Sequence, residues 1–100
     1  MSDRTVPLWN RDRLYVHAVR RAGGDVVIDG QDLRGGSEYE YALTVPAGQV
    51  PLIVAALGGE PGADVLDLLS AHGEDIVLRG EKTWLESIGV APGFWCHYSD

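Results

Sequence analysis

The chain is poor in almost everything that would announce a reaction or an address. Of its 100 residues one is Cys, one is Met and one is Phe. A single cysteine excludes an internal disulfide, and a small secreted domain is ordinarily stapled by several. No apolar run approaches the ~20 residues that cross a bilayer. The stretch Met1-Ser-Asp-Arg-Thr-Val-Pro7 lacks an apolar h-region, so a cytoplasmic protein with no membrane role is expected. Cations are scarce: 8 Lys and Arg stand against 15 Asp and Glu, for a net charge of −7. Such a surface repels a phosphate backbone, which disfavours nucleic acid as a ligand. It favours a basic protein partner, because complementary charge speeds encounter. Glycine is plentiful, yet neither GxxxxGK(S/T) nor GxGxxG occurs, so Gly23-Gly24, Gly35-Gly36 and Gly58-Gly59 read as turns and helix stops. CxxC and HxxxH spacings are missing too. Asp25, Asp29 and Asp32 lack the spacing and closing Glu of a calcium loop. No metal and no cofactor is expected.

What is present suffices for one domain with a small core. Hydrophobic residues make up 45% of the chain, and at this length roughly 60% of the unfolded surface is buried on folding. Residues 1–11 are polar, contain Pro7 and read as a loose lead-in. Residues 13–20 alternate as a strand, with Leu14, Val16 and Ala18 on one face and Tyr15, His17 and Val19 on the other. A turn at Gly23-Gly24 leads into the β-branched Val26-Val27-Ile28, a hairpin signal. Residues 38–45 give the clearest alternation. Tyr39, Tyr41, Leu43 and Val45 face inward, and Glu38, Glu40, Ala42 and Thr44 face water. Pro46 ends that strand, and Pro51 suits the first turn of a helix stopped by Gly58-Gly59. A second helix spans Ala63 to His72, with Asp64 near its start and His72-Gly73 at its end. Ile76-Val77-Leu78 reads as a short strand, and Glu81 to Ile88 as a third helix with Trp84, Leu85 and Ile88 on one face. Strands precede helices. The expected fold is therefore α+β, a small antiparallel meander of three to four strands with two to three helices on one face.

Candidate chemistry is thin. Cys96 and His97 are adjacent, and neighbours in an extended segment point apart, so they do not form a nucleophile–base pair. Arg11, Arg13, Arg20, Arg21 and Arg34 cluster at the hairpin ends and read as partners of nearby acids. The surface that remains is the wet face of the sheet. It carries Tyr15, His17, Glu38 and Glu40, with the two glutamates about 7 Å apart along one strand. Asp29 and Asp32 add acid to it. Tyr among acids suits a basic protein partner. An enzyme or ligand-binding protein using His17 with Glu38 or Glu40 is the alternative, and it requires those side chains to converge. A homodimeric accessory subunit, paired through an open sheet edge, is the third reading, so monomer and homodimer both stay open. Trp84, Phe94 and Trp95 are expected to lie over the core as its lid, because so small a protein needs its large apolar side chains.

The pattern Glu38-Tyr-Glu-Tyr-Ala-Leu-Thr-Val-Pro46, then Leu57-Gly-Gly59, then Trp84-Leu-Glu-Ser-Ile-Gly-Val-Ala-Pro-Gly-Phe-Trp95 resembles small actinobacterial immunity proteins of contact-dependent and polymorphic toxin systems. The likeness spans residues 38–98. It implies a small acidic bacterial protein, without chemistry of its own, that binds and neutralises a basic cognate toxin, often a nuclease.

Overall fold

Asp12 and Arg13 both take positive φ, 55° and 63°, and form the two central residues of a tight hairpin. That is the turn geometry that matches the twist of paired strands. It joins β1 (Arg4–Arg11) to β2 (Leu14–Arg20), with Arg11 opposite Leu14. The computed structural model describes residues 3–99. The expected loose lead-in is thus an edge strand. Its register shifts between Pro7 and Trp9, and Leu8 is buried there. The turn at Arg21–Asp25, with Gly24 at φ 99°, leads to β3 (Val26–Asp32). Next comes β4 (Glu38–Val45). After the helices, β5 (Gly93–Ser99) returns to pair antiparallel with β4. The sheet has five strands in the order β1-β2-β3-β4-β5, all antiparallel, where three to four were expected.

Four helices fill the β4–β5 connection, one more than the upper expectation. They are α1 (Val50–Ala56), after a 3-10 turn at Ala47–Gln49, α2 (Val65–Ala71), α3 (Gly73–Arg79) and α4 (Glu81–Ser87). Each is 7 residues long, too short to persist alone in water, so packing holds them. Asp64 caps α2 by accepting from the Leu66 and Asp67 amides. Ile76-Val77-Leu78, expected as a strand, is helical. Ile76 is buried while Leu78 is 72% exposed, a helical rather than a strand division of the run. Gly73 does more than end α2. It begins α3 against β1, where the Leu8 carbonyl oxygen lies 2.5 Å from the position of a Cβ.

The core lies between the helices and one sheet face. Val16, Ala18, Val26, Ile28, Leu43 and Val45 come from the strands, and Ile53, Val65, Leu66, Leu69, Ile76, Trp84 and Leu85 from the helices. Trp84, 6% exposed, closes this core as expected. Phe94 and Trp95 do not: they are 50% and 54% exposed on β5. α2 packs over β1 and β2 and α3 over β1, and β5 is exposed from Gly93 to Tyr98. No helix among the described residues is long and apolar enough to cross a membrane.

Candidate functional site

The register sets the open face of the sheet in transverse rows. One row runs His17, Asp29, Ala42, Trp95 across β2 to β5; the next runs Tyr15, Gln31, Glu40, His97. Small Ala42 sits between two larger neighbours, so the face dips into a basin of about 390 Å³. Tyr15, His17 and Trp95 stand around it, Asp29 and Glu40 supply carboxylates, and Arg21 also lines it.

Each acid on this face is held in its own way. Burial pushes the Asp29 carboxyl above its ordinary range, against the opposing pull of His17 directly across the ladder. Glu38 and Glu40 act on each other from the same face of β4, so their titrations split: Glu40 rises, while Glu38 falls with further help from Gln31. The Gln31 Nε2 donates to Glu38 Oε1 at 2.6 Å. His97 stands opposite Glu40 and favours the charged form of both glutamates.

The expected site residues do not all gather here. Tyr15, His17, Asp29, Glu38 and Glu40 share the open face. Asp32 does not. It sits at the other parity of β3, opposite Leu14 and Tyr39, on the helix side. There it accepts from the Arg34 backbone amide at 2.9 Å and pairs with its guanidinium at 2.8 Å, which holds the Asp32 carboxyl below its usual range. His17 is brought to Asp29, not to Glu38 or Glu40. Glu40 lies two strands over and two residues along, roughly 12 Å by sheet spacing. The histidine facing Glu40 is His97, and Trp95 packs against it with ring centroids 6.2 Å apart.

The sequence places neither Trp95, expected as part of the lid, nor His97, weighed only beside Cys96, on the open face. The usable signal was the alternation of Gly93–Ser99, which puts Trp95 and His97 on one face and Phe94, Cys96 and Tyr98 on the other. The Cys96 and His97 side chains therefore point apart, as strand geometry requires.

Charge partners divide the surface sharply. Arg4 bridges Asp64 and Asp67; Arg11 bridges Glu74 and Asp12; Arg21 bridges Asp3; Arg34 bridges Asp32; Lys82 bridges Glu86. Of the hairpin arginines, Arg11, Arg21 and Arg34 thus serve nearby acids, whereas Arg20 donates instead to the Gly24 carbonyl and none of these bridges involves Arg13. None of these bridges involves Asp29, Glu38 or Glu40. Among the described residues, no three His, Cys, Asp or Glu side chains gather as metal ligands. What the face offers is a shallow anionic basin beside an exposed indole, suited to receiving a cation. Compared with protein-family models, with curated proteins and with solved structures, the chain matches none, so the function rests on the chemistry of this face.

Proposed function

We propose that the chain is a protein-binding module whose open sheet face holds a basic protein partner. The observation that carries this is the set of carboxylates on that face, Asp29, Glu38 and Glu40, with no Arg or Lys bridging them, beside the half-exposed Trp95. An arginine or lysine entering the basin would meet the Asp29 and Glu40 carboxylates and the indole face together. That combination attracts a cation by charge and by the ring quadrupole. Trp and Tyr are also the side chains that most often anchor interfaces. In the immunity setting implied by the resemblance, the partner is a cognate toxin. Covering its cationic substrate surface would block activity without any reaction by this chain. The glutamates are half-buried on a shallow face and not enclosed in a water-excluding pocket, which supports a binding role over acid–base catalysis.

The test is calorimetric titration against the protein encoded beside this gene, together with rescue of cells expressing that protein. Tight binding and rescue are expected, with Asp29→Asn, Glu40→Lys and Trp95→Ala each weakening affinity by about tenfold or more. No heat of binding and no rescue would sink the reading. Unchanged affinity in all three variants would remove the basin from it.

A further inference from the structure

The two edges of the sheet are built differently. β1 carries the devices that keep an edge from pairing: Pro7 within the strand, a register shift beside it, and Arg4 and Arg11 tied to helix acids. β5 carries none of them. Gly93–Ser99 has no proline and no Asp, Glu, Lys or Arg, its ladder with β4 runs without a bulge, and no described strand covers its outer side. In a chain of net charge −7, this strand is where a second copy meets least repulsion.

The strand is also self-complementary. Around Cys96 its side chains run Phe94, Trp95, Cys96, His97, Tyr98. Antiparallel pairing with an identical strand, centred on Cys96, sets Phe94 against Tyr98 of the other copy and Trp95 against His97, ring to ring in every case. Neighbouring residues alternate in pointing their N–H and C=O groups inward and outward. Whichever set points outward, it is symmetric about Cys96. The exposed rings supply the area: Phe94, Trp95 and Tyr98 are 50%, 54% and 71% exposed. At about 200 Å² per ring, six half-open rings bury roughly 600 Å² before the backbone is counted. That is the scale of a weak, concentration-dependent dimer rather than an obligate one. Of the helices, α2 and α3 lie over the β1 side, and α4 shares a cleft with Phe94 on the helix face, while the residues from Gly93 to Tyr98 are exposed along the strand. The glutamates of the two β4 strands would be three strand spacings apart, about 14 Å, beyond the ~8 Å screening length of physiological salt.

We propose that β5 is a homodimerisation edge, along which two copies pair antiparallel about a twofold axis at Cys96 and join their five-stranded sheets into one continuous sheet. The helices of both copies then lie on the same side. Asp29 and Glu40 stay free on both open faces, while Trp95 belongs to the basin and the edge alike. Tyr98, on the opposite face of β5, belongs to the edge alone, so this inference is tested apart from the basin.

Sedimentation equilibrium of the full chain under reducing conditions, from about 1 to 500 μM, reads it directly. The expected mass rises from monomer to twice that value over this range. Tyr98→Lys, on an exposed side chain and with its fold checked by circular dichroism, should keep the monomer mass throughout. Treatment with diamide should join two copies through Cys96, the two thiols passing two protons and two electrons to the azo reagent. Directly opposed antiparallel residues stand within disulfide reach. A Cys96→Ser, Thr5→Cys variant, with its thiol on the β1 edge, should not cross-link. A monomer at 500 μM overturns the proposal, leaving the edge to a different chain or to none. So does a dimer that survives Tyr98→Lys, or one whose Cys96 pair fails to oxidise.

Discussion

Tyr41 reaches Glu81 across the buried face of the sheet because Gly30, opposite it on β3, has no side chain. A Cβ at Gly30 would meet the tyrosine ring at 2.2 Å. The hydroxyl donates to Glu81 Oε1, and Glu81 is the one buried charged residue among those described. Burial first, and the bond to Glu81 second, push the Tyr41 phenol well above its ordinary range. A raised folded-state value means a contribution that is complete below the unfolded pKa of about 10 and is lost as pH rises through the folded value. Stability should therefore fall on the alkaline side, and the Tyr41 phenolate should form only with unfolding. Absorbance at 295 nm, compared between wild type and Tyr41→Phe, checks this: the two curves should coincide until near-UV dichroism is lost. A difference step while dichroism is intact would refute it. Gly30→Ala should cost about 1–3 kcal/mol in urea unfolding by overpacking against the ring. In a Tyr41→Ala background it should cost clearly less, because the two sites share one space. Neither role of Gly30 or Glu81 was legible in the sequence, since both depend on a contact spanning 40 residues.

At the scale of elements, the strands that alternate cleanly were readable: β2, β3 and β4 stand where periodicity put them. β1 was missed because its turn uses Asp12 and Arg13 at positive φ, where the familiar signal is glycine. α3 was misread because Ile76-Val77-Leu78 is a short apolar run, and short apolar runs do not separate strand from helix by periodicity. Phe94 and Trp95 of β5 are expected in the lid, yet every buried apolar residue described lies at or before Val90. That placement yields a prediction. A chain ending at Pro92 should keep its helical dichroism and unfold cooperatively, at a lower urea midpoint, while losing self-association. Collapse to an unfolded chain would show that β5 is needed for the core and not only for the edge.

The whole molecule is an acidic body with two distinct surfaces, and salt acts on them in opposite directions. Binding of a basic partner to the basin should weaken as salt rises, its association rate falling by about tenfold or more between low and physiological ionic strength. Pairing of two like-charged copies through β5 should tighten over the same change, because screening removes their mutual repulsion. Stopped-flow association and sedimentation across a salt series separate the two, and a common sign for both would contradict this division of the surface. By itself the sequence determined the α+β class, the acidic character and the wet placement of Tyr15, His17, Glu38 and Glu40, because alternation and charge are local properties. Only the tertiary structure decided that Asp32 turns to the other face, that His97 rather than His17 stands by Glu40, and that the aromatic end of the chain forms an edge. Those facts follow from strand register, which pairs residues distant in sequence and sorts them to one face or the other by a single-residue step.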